Sequence, residues 1–227
     1  MKTFLIATRN VHKVGEIRSI LGGGFQYLAL NDFPGAPGVI EDAATFAGNA
    51  TKKSVALADW LSRFPAKPRP DDLWVLADDS GLEVDALNGA PGVHSARFAT
   101  VDQLKDGNTP DADNNAKLLR LLRETPAAQR TARFRCVIAL TPVVSEPTAG
   151  ASPVCYLGEA SRTELFDGAC EGRIDLAPRG QGGFGYDPLF IPHGFEQSFA
   201  ELGAAVKDRI SHRAQALGKL KQWLGTI

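Results

Sequence analysis

The sequence predicts an α/β fold, a mixed twisted sheet with flanking helices arranged as two lobes around a central substrate cleft. In its first third, short apolar runs alternate with segments of helical period, which is the signature of strand and helix layers. In the middle, strand-like alternation takes over, with Phe134, Cys136, Ile138 and Leu140 on one face and Arg133 and Arg135 on the other. At 227 residues, with 44% hydrophobic residues and no internal repeat, the chain is long enough for a sizeable core. One domain over residues 1–227 with two lobes is therefore expected, rather than two independent domains.

The apolar run from Phe4 to Ala7 is too brief for a secretory leader, and residues 2–7 are expected to be the first strand. Thr8, Arg9 and Asn10 make a turn. A helix over residues 11–21 follows, with Val14, Ile17 and Leu21 on one face and Gly22, Gly23 and Gly24 stopping it. Thr45 is placed to cap a second helix that carries Phe46, Ala50, Leu57 and Leu61 on one stripe. Pro65, Pro68 and Pro70 then stiffen a loop. Residues 74–77 are a short strand running into Asp78, Asp79, Ser80 and Gly81, after which Leu82, Val84 and Ala86 alternate with acidic residues as on a half-buried strand. A third helix is expected over residues 114–123, a flexible loop at 150–153, a strand over 154–165 and a last helix over 211–224. That last helix turns Ile210, Ala214, Leu217 and Leu224 inward.

Charge and cysteine usage exclude several classes. With 25 Lys and Arg against 26 Asp and Glu, the net charge is −1, without the basic excess of a duplex nucleic-acid binder. No apolar run approaches the roughly 20 residues needed to cross a bilayer. Cys136, Cys155 and Cys170 are odd in number and widely spaced, which suits reduced core thiols in a cytoplasmic protein better than disulfides or a metal cluster.

Five groups of residues carry chemistry. Thr8, Asn10 and Lys13 open a helix, where free amides and the helix dipole favour anions such as phosphates; the alternative is simple capping with a solvated lysine. Lys53 lies on the apolar stripe of the second helix, so it needs a counter-charge, either a buried ion pair or an anionic ligand. Asp78 and Asp79, with Glu41 ahead of the helix, are hard oxygen ligands of the kind Mg²⁺ takes alongside substrate phosphates, although Asp-Asp-Ser-Gly is also a good turn sequence. Residues 179–188 hold four glycines around Phe184 and Tyr186, which lets the backbone approach a ligand while a ring stacks on a planar group; a glycine-rich hairpin without a ligand is the alternative. Ser211 caps the last helix, yet His212 and Arg213 place cations in its first turn against the dipole preference. An anion or electron-rich ring edge at that corner would account for them, with Lys207 as a further donor.

Six blocks taken together resemble the inosine/xanthosine triphosphate pyrophosphatase family: Thr8-Arg9-Asn10-Val11-His12-Lys13; Thr45-Phe46 with Asn49-Ala50 and Lys53; Ala77-Asp78-Asp79-Ser80-Gly81-Leu82; the segment from Gly89 through Pro91, Ser95 and Arg97; Gly182-Gly183-Phe184-Gly185-Tyr186-Asp187-Pro188; and Ser211-His212-Arg213. They occur in the family's order across nearly the whole chain. The resemblance implies a homodimeric, Mg²⁺-dependent enzyme that hydrolyses non-standard purine nucleoside triphosphates (ITP, dITP, XTP) to monophosphate and pyrophosphate. It implies triphosphate binding by Thr8, Arg9, Asn10, Val11, His12 and Lys13 with Lys53 near the phosphates, Mg²⁺ held by Glu41 and Asp79, and Asp79 as proton acceptor. Ser80 would contact substrate, and Phe184, Gly185, Tyr186, Asp187, Lys207, His212 and Arg213 would form the nucleoside pocket. Two departures stand out: position 48 is Gly where the family has Glu in its Phe-x-Glu-Asn-Ala block, and residues 60–74 are longer. A Maf-like nucleotide pyrophosphatase, a phosphotransferase and a nucleotide sensor without turnover are the competing readings.

Overall fold

Parallel pairing organises the amino-terminal part of the fold. In the computed structural model, which describes residues 1–63, 72–103, 107–144 and 162–226, β1 (Thr3–Ile6) lies between β2 (Gln26–Ala29) and β3 (Leu73–Val84), parallel to both. β4 (Thr131–Pro142), β5 (Glu164–Ile174) and β6 (Phe190–Pro192) complete a six-stranded mixed sheet in the order β2-β1-β3-β4-β5-β6, in which β5 and β6 are antiparallel. The helices are α1 (Val11–Leu21), α2 (Phe46–Arg63), α3 (Asp111–Leu121), α4 (Phe199–Leu202), α5 (Ala204–Ile210) and α6 (His212–Leu224), with a 3-10 run at Gly92–Gln103. No helix among the described residues is long and apolar enough to cross a membrane.

The described chain divides into two compact units. The first draws on residues 1–79, 137–166 and 220–227, and the second on 80–136 and 167–219. In the first, Phe4, Leu5 and Ile6 of β1 are fully buried, as expected of a central parallel strand covered on both faces. Leu57, Ala58 and Leu61 of α2 pack with Leu5, Leu73, Val75 and Ala77. The asparagine at position 10 ends the loop after β1 by accepting from the amides of His12 and Lys13, a cap of about 1 kcal/mol, and Gly22, at φ +82°, closes α1. Thr45 caps α2 through its Oγ1, which accepts from Gly48 N at 3.1 Å. In the second unit the core gathers Leu82, Val84, Leu118, Leu122, Tyr186 and four phenylalanines, with Phe134 and Phe190 centroids 4.7 Å apart.

Several expectations are corrected. Asp78-Asp79-Ser80-Gly81 is no turn: it sits inside β3, a single strand of 12 residues, because Leu76, Ala77, Asp78, Asp79, Gly81 and Leu82 are all buried and burial overrides the local turn preference. Ala86 is exposed in a 3-10 turn (Asp85–Leu87) that ends the strand. The third helix starts three residues earlier than expected, at Asp111 after Pro110, with Asp111 and Asp113 complementing the dipole of its first turn. Of the strand expected over 154–165, residues 154–161 lie outside the described residues, and β5 begins at Glu164. β2, β6, α4 and α5 are too short for periodicity to announce them. Cys136 and Cys170 are buried and in no disulfide, and burial pushes the Cys170 thiol up to about 12. Cys155, Pro65, Pro68, Pro70 and the loop at 150–153 lie outside the described residues.

Candidate functional site

The first group of candidate residues forms where β1 ends. Ile6 is opposite Leu76, and Ala7 N donates to Leu76 O at 2.8 Å; there the chain departs into the Thr8–Asn10 loop and the first turn of α1 while β3 continues to Asp78 and Asp79. The carboxyl end of a parallel strand is where open α/β sheets bind ligands. In this loop Thr8 Oγ1 accepts from Asn10 N at 3.1 Å, and Asn10 Oδ1 accepts from His12 N and Lys13 N, so the capping roles allowed by the sequence are realised. Arg9, Val11 and His12 are exposed. Lys13 reaches back to an ion pair with Asp78, whose side chain is fully buried.

Lys53 joins this group from α2. Its Nζ donates to Glu41 Oε2 at 2.8 Å and to the Asp78 carbonyl at 2.7 Å, and stands 3.9 Å from Asp79 Oδ1. The inward lysine therefore has its counter-charge. Asp79 is only 7% exposed, and its Oδ2 has no hydrogen-bond partner. Burial pushes its carboxyl up to about 6, against the pull of Lys53, Lys13 and an Asn49 hydrogen bond, while Glu41 adds to the rise. A buried carboxylate with an idle oxygen can accept a proton or a cation. Hard oxygens suit Mg²⁺, so Asp79 and Glu41 fit such an ion. Among the described residues no group of three or more His, Cys, Asp or Glu side chains is gathered to hold a metal.

Asn49 was not singled out from the sequence for a role of its own. It is buried, interacts with Asp79 and accepts from Ala43 N at 2.9 Å, so it ties the segment after Glu41 to α2. A polar residue on the apolar stripe of α2 was the available signal. Position 48 also has a local explanation, since a Cβ there would stand 2.7 Å from that of Ala43. A larger residue requires the chain around Ala43 to move.

The second unit holds the remaining candidates in two clusters. In one, Lys207 Nζ pairs with Asp187 Oδ2 at 2.5 Å, both side chains being almost fully buried, and lies 4.5 Å from the Phe184 ring centroid. Asp187 Oδ2 also accepts from Phe184 N at 2.9 Å, which curls the segment back on itself. Gly183 is required there: its φ is +74°, and a Cβ would fall 2.1 Å from Asp187 Oδ2. The segment is an irregular loop within the connection between the antiparallel strands β5 and β6. Tyr186 is a core residue whose hydroxyl donates to Ser95 O at 2.9 Å. In the other cluster Arg213, 1% exposed, donates to Ser80 Oγ at 2.9 Å, and His212 stacks on Phe134 with centroids 4.8 Å apart. Ser211 caps α6 by accepting from Ala214 N at 3.1 Å.

Comparison with known proteins adds an independent line. The profile described as the Ham1 family matches residues 4–223. A dITP/XTP pyrophosphatase of Desulforamulus reducens is 45% identical over 224 residues, covering 98% of this chain and 96% of the relative. One from Geobacillus kaustophilus is 44% identical over 225 residues, covering 98% and 95%. Among solved structures, a HAM1 protein from Coxiella burnetii superposes with a TM-score of 0.74 at 33% identity, covering 100% of both chains.

Proposed function

The chain belongs to the Ham1 family, and from that premise we propose that it is a Mg²⁺-dependent nucleoside triphosphate pyrophosphatase, with residues 1–227 acting as one catalytic domain. It hydrolyses dITP, ITP and XTP to the monophosphate and pyrophosphate. The names of its relatives support the substrate class, and one feature carries the chemistry: Asp79, buried, with an unpartnered oxygen, beside two lysines. The same resemblance extends the proposal to a homodimer in the cytoplasm.

Glu41 and Asp79 would hold the metal. When bound, Mg²⁺ supplies charge neutralisation on the phosphate oxygens and makes pyrophosphate a better leaving group. Lys13 and Lys53 would exchange their present carboxylate partners for phosphate oxygens, alongside the Thr8 hydroxyl and the loop through Asn10. Asp79, its basicity raised toward neutrality by burial, would take a proton from water as the water oxygen bonds to the α-phosphorus. The bond from that phosphorus to the bridging oxygen breaks, and the electron pair leaves with pyrophosphate.

The nucleoside falls to residues of the second unit. Lys207, Arg213 and a protonated His212 are donors, which match the 6-oxo acceptor of hypoxanthine and xanthine and mismatch the 6-amino group of adenine. Each mismatched group left unpaired costs about 1–3 kcal/mol, so kcat/KM for ITP should exceed that for ATP by about 100-fold or more. Arg213→Ala should narrow that ratio by lowering the ITP value.

The decisive assay combines purified protein, Mg²⁺ and a panel of nucleoside triphosphates with separate detection of pyrophosphate and orthophosphate. Stoichiometric pyrophosphate with IMP, and no inosine diphosphate, is expected from ITP. Orthophosphate as the primary product, or binding without turnover, overturns the proposal.

A further inference from the structure

Helix α3 lay outside every candidate site, yet it holds the glycine-rich segment by its main chain. The amide of Gly185 donates to Asp111 Oδ2 at 2.6 Å, and the carbonyl of Gly185 accepts from Asn115 Nδ2 at 3.0 Å. Residues 111 and 115 are one helical turn apart and share a face. Both polar atoms of one peptide residue are thus gripped by a single rigid element. That element is itself anchored: Asn114 Oδ1 accepts from Ala99 N at 2.8 Å and from Thr109 Oγ1 at 2.6 Å. Gly185 sits at φ +63°, in the left-handed region, so the grip fixes a conformation that would otherwise be one of several open to glycine. Its neighbour on one side is Phe184, and on the other Tyr186, whose hydroxyl is tied to Ser95 O.

The grip is costly in a telling way. Asn115 is 8% exposed, and while its Nδ2 is used, its Oδ1 is buried with no hydrogen-bond partner. A buried acceptor without a partner lowers stability, and leucine, of similar shape, would not carry that penalty. The half-buried Gly185 carbonyl could turn to water if released. Stability alone therefore does not explain an amide at this position, whereas holding Phe184 in register does.

We propose that Asp111 and Asn115 are positioning residues for nucleoside recognition, bracketing Gly185 so that Phe184 is presented to the base. They would act on the nucleoside half of the substrate and leave the phosphate half untouched. The inference rests on the proposed role of Phe184 to Asp187 as the nucleoside pocket.

The test measures dITP kinetics, inhibition by inorganic tripolyphosphate, IMP binding by calorimetry, and thermal stability. Asn115→Leu should raise KM for dITP by about 10-fold with kcat within about twofold, since a displaced binding group costs affinity before chemistry. It should weaken IMP to a similar degree, leave tripolyphosphate inhibition unchanged, and keep or raise the melting temperature. Asp111→Ala should behave likewise in kinetics and binding, and Asp111→Asn, which retains an acceptor oxygen, should restore wild-type KM. A lower melting temperature with unchanged KM and IMP affinity overturns the inference, as does equal weakening of tripolyphosphate. A wild-type protein that binds IMP but does not turn over dITP overturns the pyrophosphatase proposal alone, with the bracket then judged by the IMP affinities. A wild-type protein that binds no IMP overturns both.

Discussion

Each unit sets a lysine, Lys53 or Lys207, close to a buried aspartate, and the two pairs differ in how fully their charges are met. In the second unit, Lys207 and Asp187 are in contact at 2.5 Å, Asp187 takes a further amide from Phe184, and Lys207 also lies near the rings of Phe184 and Phe199. In the first, Lys53 stands 3.9 Å from Asp79, its closer bonds go to Glu41 and the Asp78 carbonyl, and Asp79 keeps an oxygen without a partner. A buried ion pair repays its desolvation only when geometry and extra hydrogen bonds are complete. The Lys207 pair meets that condition and adds to the stability of the fold. The Lys53 pair falls short, and the shortfall is a capacity that a proton, a cation or a phosphate can fill.

Breaking the tight pair should have the largest effect on folding. Lys207→Met strands Asp187 in the core, with an expected loss of about 3–5 kcal/mol, read by urea unfolding. Adding Asp187→Asn should recover part of that loss. Recovery of none would mean that Lys207 stabilises through its rings and not its charge.

Asp79→Asn should separate activity from stability. Loss of the base should lower kcat by about 100-fold or more, while the protein becomes more stable. The sign follows from proton counting: the Asp79 carboxyl holds its proton up to about pH 6 when folded but only to about 3.8 when unfolded. The native state therefore binds more protons in that window, and its stability falls as pH rises through it. Above pH 6 the ionised carboxylate costs up to about 3 kcal/mol, which Asn would relieve. Metal-free unfolding of both proteins should agree near pH 3 and diverge above pH 6. Parallel curves would show that Asp79 is not held neutral by burial.

Glu41→Gln should shift the midpoint of a Mg²⁺ activation titration upward by about 10-fold, and an unmoved midpoint counts against a ligand role. The smallest change in stability should come from Lys53→Met. Glu41 is partly solvated and Asp79 can take up a proton, so stability should stay within about 1 kcal/mol of wild type while KM for dITP rises. A fall comparable to that of Lys207→Met would erase the contrast between the pairs.

Much of the fold was legible because its signals are local. The 3.6 period and the glycine stop marked α1, and the apolar stripe with its threonine cap marked α2. Lys53 on that stripe announced a buried charge before any partner was visible. Local reasoning failed at Asp78-Asp79-Ser80-Gly81, where turn-forming residues were drawn into a strand by burial. It also failed at Asn115, whose polar character on α3 has no meaning until Gly185 is brought to it from 70 positions away.

The sequence by itself determined where the longer helices lie, where their apolar faces are, which residues form the family's motif blocks and that one lysine must point inward. These properties depend on neighbours within a few positions along the chain, where spacing and capping act. Only the tertiary structure decided that Lys13 pairs with Asp78, that Lys53 bonds Glu41 more closely than Asp79, and that Asp79 is left buried and incompletely satisfied. Those outcomes depend on which distant groups exclude water together, and desolvation is a property of the packed chain rather than of any residue in it.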